Sequence, residues 1–246
     1  MNLDEYERMY RAEESHWWYA GMRAIGFALL DGALAPGLSS HRRFLDAGCG
    51  TGVNLVHLSE RGRAVGVDLS PEALRFCRAR GVSVARADLR ALPFPDASFD
   101  WVTSFDVLYH RWIEDDLGAA RELARVLRPG GGLLIRVPAL RRLRGAHDEA
   151  VHSRHRYTRA ELERLLEAAG LHLSRATYAN TLLLPLVALR RSLDRLTGRT
   201  GSDLERLPAP LEWAFRGALR MEARLVRRVG LPLGASVLAL ARKPGG

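Results

Sequence analysis

Residues 46–52 read "DAGCGTG". Gly48, Gly50 and Gly52 stand at alternate positions where an apolar run, "RFLDAG" (43–48), gives way to a helical pattern, "GVNLVHLSERG" (52–62). Without Cβ atoms the chain turns tightly there, and a ligand can approach its backbone closely. A strand, a glycine-rich turn and a helix make the first unit of an open α/β sheet, whose ligands bind at the carboxyl ends of the strands. The alternation continues downstream. Strands are expected at 63–70, 82–89, 99–108, 132–140, 171–178 and 234–243, and helices at 71–81, 114–131 and 158–170. Pro71 opens one helix and Gly81 closes it, while Thr158, Glu161 and Gly170 supply a capping box and a glycine stop. Such alternation predicts a mostly parallel sheet with helices on both faces.

Two segments fall outside that pattern. Residues 1–40 form an N-terminal helical cap and 181–232 a C-terminal helical insertion, around a sheet core at 41–180 and 233–243. A length of 246 residues suits this single embellished domain. Cys49 and Cys77 cannot make a disulfide framework, which points to a reducing, cytoplasmic setting. The opening "MNLDEYERMYRAEE" is too polar for a signal peptide, and "LLLPLVAL" (182–189) is too short to span a bilayer. Net charge is +9, and Lys243 is the only lysine among many arginines. That charge suits an anionic partner (nucleic acid, a phospholipid surface, a phosphorylated metabolite) or a merely solvated surface.

The spacing of acids around the loop is more specific. A dinucleotide fingerprint needs G-x-G-x-x-G, but the last position falls on Val53 or Leu55. Asp46, just before the loop, would repel a pyrophosphate and attract an ammonium or sulfonium. Asp68 ends the second strand, where a carboxylate can accept both hydroxyls of a ribose. Asp88 ends the third, within reach of an adenine amino group. Acids at three successive strand ends suit a neutral nucleoside with a cationic tail.

Over residues 42–140 this constellation resembles the class I S-adenosylmethionine-dependent methyltransferases. "LPFPDASFDWV" (92–102) is similar to that family's approach to its fourth strand. The resemblance implies an α/β, Rossmann-like, seven-stranded sheet, mostly parallel, with "GASVLALARK" as an antiparallel last strand. It implies S-adenosyl-L-methionine as cofactor. Asp46, Gly48, Cys49, Gly50 and Gly52 would cradle its methionine and ribose parts, Asp68 and Leu69 would hold the ribose, Asp88 and Leu89 would border the adenine, and Phe105 would stand beside them.

Methyl transfer from a sulfonium is an in-line displacement, so the enzyme aligns the acceptor, excludes water and, for a hydroxyl acceptor, removes a proton. The methyl is expected near "SFDVLYH" (104–110), which makes His110 and Asp106 catalytic candidates. A second cluster is "HDEAVHSRHRYT" (147–158). On a helix, Asp148, His152 and His155 would share a face, as a His–Asp base or a divalent-metal set. In an irregular loop they would not, and no metal is assigned. His152 and His155 remain catalytic candidates, and Arg156 and Tyr157 acceptor-binding ones. No Asn/Asp-Pro-Pro-aromatic tetrapeptide follows the fourth strand, which argues against amino-nitrogen methylation of DNA bases or glutamine. Neither cysteine is placed for pyrimidine C5 chemistry.

"SHWWYAGMR" (15–23) sets Trp17 and Trp18 about 100° apart on a helix. One can anchor the cap on the sheet while the other, with Tyr10 or Tyr19, closes over the cleft; Arg23 is near enough to meet an anionic group. In "LEWAFRGALRMEARLVRRVG" (211–230), Arg216, Arg220, Arg224 and Arg228 recur every four residues. That pattern fits a packed helix with a charged outer face, or a helix lying on a membrane. The expected function is methyl transfer to a hydroxyl oxygen of a small-molecule or lipid-linked acceptor, with peripheral membrane contact through 211–229. RNA methylation and non-catalytic cofactor binding are the alternatives.

Overall fold

In a computed structural model, residues 3–34, 41–143, 152–197 and 208–245 are described. Strands β1 (Arg43–Ala47), β2 (Arg63–Asp68), β3 (Val84–Arg86), β4 (Phe99–Phe105), β5 (Leu127–Pro138), β6 (His172–Ala179) and β7 (Ser236–Arg242) form one sheet, in the order β3-β2-β1-β4-β5-β7-β6. β1 to β5 pair in parallel, and β7 runs antiparallel between β5 and β6. The helices among the described residues are α1 (Leu3–Ala12), α2 (Trp17–Ala33), α3 (Val53–Ser59), α4 (Pro71–Ala79), α5 (Asp116–Val126), α6 (Arg159–Ala168), α7 (Leu184–Thr197) and α8 (Ala209–Leu225). The expected sheet, with its antiparallel last strand, is the one observed.

Side-chain alternation along the strands builds two cores. Leu45, Val102, Leu133, Ile135 and Val237 face α5 and α6, and Phe44, Trp101, Leu134 and Leu238 face α2 and α8. Strands buried on both faces read as apolar runs, which explains why they were easy to recognise. α2 and α8 touch at Gly21, where an added Cβ would stand 2.3 Å from the Cδ1 of Leu219, so only glycine allows that approach. α2 and α8 therefore form one helical layer on that face of the sheet.

Among the boundaries that differ from expectation, two bear on the site and its frame. The third strand stops at Arg86, so Asp88 lies in the following turn. The helix expected to 131 ends at Val126, because Leu127 already pairs with Phe99 and the ladder resumes at Trp101 and Gly132 after a bulge.

Candidate functional site

Over the carboxyl ends of β1, β2, β4 and β5 lies a cavity of about 790 Å³. Its floor is the loop Gly48–Thr51, continuing through Asp68, Leu69 and Ser70 to Asp88 and Leu89. α1 and α2 roof it with Tyr6, Met9, Trp17, Trp18 and Tyr19. Its other arm is mostly apolar, between Leu183, Leu186 and Val187 of the α7 region, with Arg190 beside them, and Leu211 and Phe215 of α8.

The loop's three glycines have φ of 82°, 54° and 90°. A Cβ on Gly48 would meet the Cγ2 of Val107 at 2.3 Å. Gly48→Ala is therefore expected to cost about 2 kcal/mol, mainly from left-handed backbone strain. At this chain length that corresponds to a fall of about 4–8 °C in thermal denaturation. Gly50 N–H donates to Asp68 Oδ2 at 2.9 Å, and Ser70 N–H to Asp68 Oδ1 at 2.9 Å. Burial raises the pKa of Asp68, and those N–H groups oppose the rise. The Asp68 carboxylate is thus fixed at the cavity wall by the loop it supports.

Asp46 is placed differently from expectation. It is 1% exposed and does not line the cavity. Strand alternation turns it beneath the loop, where its Oδ1 accepts from Thr103 Oγ1 at 2.7 Å and its Oδ2 has no partner. Burial pushes its pKa up to about 7. Asp88 does line the cavity, but its carboxylate is gripped by Arg90, at 2.7 Å and 3.0 Å, and those bonds hold its pKa down. Gly52 also lies outside the lining. Cys49 lines it, and its sulfur sits 3.8 Å from that of Cys77, both as buried free thiols.

The roof is tied to the loop. Glu13 is buried, accepts from Arg80 at 2.8 Å and from Thr51 Oγ1, and its pKa is raised by burial. Arg23 Nη1 donates to the Glu13 carbonyl at 2.8 Å, and burial lowers the pKa of this guanidinium. His16 caps α2 by accepting Trp18 N–H at 3.3 Å. Trp17 packs edge-on against Phe215 of α8 at 5.1 Å, while Trp18 meets Tyr19 at 5.0 Å and the Arg136 guanidinium at 6.0 Å. Both tryptophans line the cavity, so anchoring and covering are done together. Tyr10 is not part of the lining; it stacks on Phe76 at 4.6 Å and so fastens α1 to α4.

Asp106 and His110 both reach the cavity. Asp106 has φ 58° and accepts from Arg136 at 2.5 Å and 2.9 Å, so its carboxylate neutralises a buried guanidinium. His110 stacks on Trp112 at 4.5 Å and leans on Tyr109 at 4.3 Å. Of the two readings of 147–158, the described part takes the irregular one, and Asp148 lies outside the described residues. His152 turns with φ 53°, and from Ser153 to Tyr157 the chain runs alongside the ends of β4 and β5: Arg111 N–H donates to the His152 carbonyl at 3.0 Å, Arg154 N–H to the Tyr109 carbonyl at 2.7 Å, and Tyr157 N–H to the Pro138 carbonyl at 2.9 Å. Those non-local bonds remove the spacing that would join His152 and His155. His155 pairs with Glu161 at 3.6 Å, Tyr157 donates to Asp116 at 2.7 Å, and neither they nor His152 line the cavity. Arg156 does, while donating to the Ala139 carbonyl at 2.8 Å. Among the described residues no group of three or more His, Cys, Asp or Glu could hold a metal ion.

Comparison with known proteins gives the family. The family described as "Methyltransferase domain" matches residues 45–135. A malonyl-[acyl-carrier protein] O-methyltransferase of Erwinia pyrifoliae is 37% identical over 194 residues, 73% of this chain and 71% of that protein. The chain belongs to the class I S-adenosylmethionine-dependent methyltransferases. A probable S-adenosylmethionine-dependent methyltransferase of Mycolicibacterium smegmatis is 37% identical over 134 residues, 52% of this chain and 51% of that protein, so the chain spans about half the length of that relative. A methyltransferase structure from Thermotoga maritima, titled a possible histamine N-methyltransferase, shares the fold at TM-score 0.63 and 21% identity, covering 98% of this chain and 95% of the other.

The residues present fit the family's cofactor. The glycine loop presents bare backbone to the cavity at Gly48 and Gly50, Asp68 faces the cavity with lone pairs beyond its two backbone donors, and Leu69, Leu89, Val107 and Ile113 give apolar walls beside it. Several lining residues went unnoticed in the sequence: Glu13, Thr51, Trp112, Arg136, Asn180 and Phe215. Only Arg136 carried a signal, as a lone cation within the apolar strand "GLLIRVPAL" (132–140).

Proposed function

We propose that this chain transfers the methyl group of S-adenosyl-L-methionine to a hydroxyl oxygen of a small-molecule or lipid-linked acceptor with an apolar body. The observation that carries the reading is the continuity of one cavity from the Asp68 wall to the apolar arm of α7 and α8. When bound, the cofactor supplies a methyl group on a sulfonium, open to in-line attack. Asp68 would hold its two ribose hydroxyls, Arg23 would meet its carboxylate, and Leu69 and Leu89 would border its base. Trp17, Trp18 and Tyr19 exclude water. A ring nitrogen of His110 receives the acceptor's proton. The Erwinia relative is named for O-methylation of a malonyl group, whose free oxygen is a carboxylate, so it supports methylation at oxygen and the hydroxyl rests on the cavity alone.

Calorimetric titration with S-adenosylmethionine tests the first step, and absence of binding at millimolar ligand ends the reading. Incubation with labelled cofactor and fractionated cell extract tests the second. Label is expected in the lipid or small-molecule fraction. Label in RNA would favour RNA methylation, and binding without S-adenosylhomocysteine formation would favour a non-catalytic role.

A cytoplasmic protein resting on a membrane surface is the setting we propose. No helix among the described residues is long and apolar enough to cross a membrane. Of the eleven large apolar side chains exposed among the described residues, nine lie between Leu182 and Leu233. Trp213, 79% exposed, shares the outer face of α8 with Arg220 and Arg224, and Leu186 and Leu211 are both exposed and cavity-lining. Aromatic and basic side chains together suit an anionic lipid surface. Replacing Arg220 and Arg224 with glutamine is expected to remove about 2 kcal/mol of attraction, roughly 30-fold in partitioning. Co-sedimentation with phosphatidylglycerol-containing vesicles measures this, and unaltered partitioning would exclude α8 as the contact.

A further inference from the structure

Where β6 ends, the chain turns at Asn180 with φ 57°. Its side chain is 3% exposed and lines the cavity, yet its Oδ1 has no hydrogen-bond partner. The backbone beside it is satisfied: Glu222 Oε2 accepts the N–H groups of Thr181 and Leu182 at 3.0 Å and 3.1 Å. Trp17 Nε1, at the start of α2, is also buried and without a partner, and its ring lines the same cavity. Leu183 and Phe215 line that arm, and Trp17 packs on the apolar cluster to which both belong. Buried polar atoms are nearly always paired, so an orphaned acceptor and an orphaned donor in one apolar arm call for a partner that is not protein. A left-handed turn favours asparagine over most residues, but glycine would serve that turn as well. Backbone conformation therefore does not account for an unpaired carboxamide oxygen at the cavity wall.

We infer that Asn180 Oδ1 and Trp17 Nε1 are the polar anchors of the acceptor subsite, which takes an apolar chain carrying a neutral group that both donates and accepts hydrogen bonds, a hydroxyl or a primary amide. The inference rests on the methyl-transfer reading and names the acceptor class for that site. A carboxylate offers no hydrogen to Asn180 Oδ1, and an ether offers none either. Such ligands leave the carboxamide unpaired and are rejected, as a site built for a hydroxyl rejects the analogue lacking it.

Two mild substitutions test it. Asn180→Gly keeps the turn and removes the Oδ1, and Trp17→Phe keeps an aromatic ring and removes the Nε1–H. Calorimetry with 1-decanol and with decyl methyl ether, in the presence of S-adenosylhomocysteine, gives the readout. The unmodified protein is expected to prefer the alcohol by about 10-fold or more. Each variant should narrow that preference to roughly 3-fold or less. Asn180→Asp, which retains the shape and adds a charge, should instead turn the site toward decylammonium by about 10-fold. Equal binding of alcohol and ether by the unmodified protein, or a preference that survives in both variants, would overturn the inference. Absence of S-adenosylhomocysteine binding is a separate outcome: it strikes the cofactor reading, and the alcohol–ether comparison repeated without that ligand still decides the subsite.

Discussion

Asp68→Ala is expected to weaken binding of S-adenosylmethionine and S-adenosylhomocysteine by at least about 100-fold, because hydrogen bonds to a charged group contribute ~1.5–3 kcal/mol each and two ribose hydroxyls would lose theirs. The substitution also frees the Gly50 and Ser70 N–H groups that Asp68 now accepts at 2.9 Å, so the loop loses the bond that fixes its shape. Asp68→Asn retains one acceptor oxygen and should fall between, at roughly 10-fold. Asp88 provides the internal contrast. Its carboxylate is already satisfied by Arg90, and Asp88→Ala is expected to cost less than about 5-fold. Calorimetric titration of the three variants, with thermal denaturation to confirm folding, separates these outcomes. An unchanged dissociation constant in Asp68→Ala would remove the ribose assignment.

The contrast between Asp68 and Asp88 bears on how much could be read in advance. The alternation of strands and helices and the glycine loop are local patterns, and the sheet followed from them. The acids at strand ends were also visible, but their roles depend on what reaches them from elsewhere. Asp88 acquired a neighbour two residues away, Arg90, that ties up its oxygens. Asp106 was visible as a site residue, but its partner Arg136 is set by the pairing of β4 with β5, where Phe105 stands opposite Arg136. His152 and His155 looked like a constellation only for as long as a helix was allowed. Backbone bonds to Tyr109, Arg111 and Pro138 drew that stretch straight, and no local propensity records such bonds. Asn180, in "YANTLL" (178–183), reads as an ordinary turn residue, because only the packed structure leaves its oxygen without a partner.

Asp46 gives the second large effect, on stability as a function of pH. Burial raises its pKa from 3.8 to about 7. Between those values the folded chain keeps a proton that the unfolded chain has released, so the contribution is fully present below pH ~4, falls as pH rises toward ~7 and is gone above it. A shift of about three pKa units corresponds to about 4 kcal/mol. Glu13, Asp68 and Glu222 also have raised pKa values from burial and slope in the same direction, so the difference between the unmodified protein and Asp46→Asn isolates this group. Asparagine can still accept from Thr103 and carries no charge at any pH. The two proteins are expected to melt together near pH 4 and to separate by about 10 °C at pH 8, with Asp46→Asn the more stable. Parallel curves across that range would show that Asp46 ionises freely in the fold. The same titration bears on the ligand. An ionised carboxylate beneath the glycine loop destabilises the empty protein and attracts a cationic ligand, so affinity for S-adenosylmethionine should rise with pH over the same window and stay level in Asp46→Asn. The neutral sulfur of S-adenosylhomocysteine, titrated alongside, measures how much of that rise belongs to the sulfonium charge.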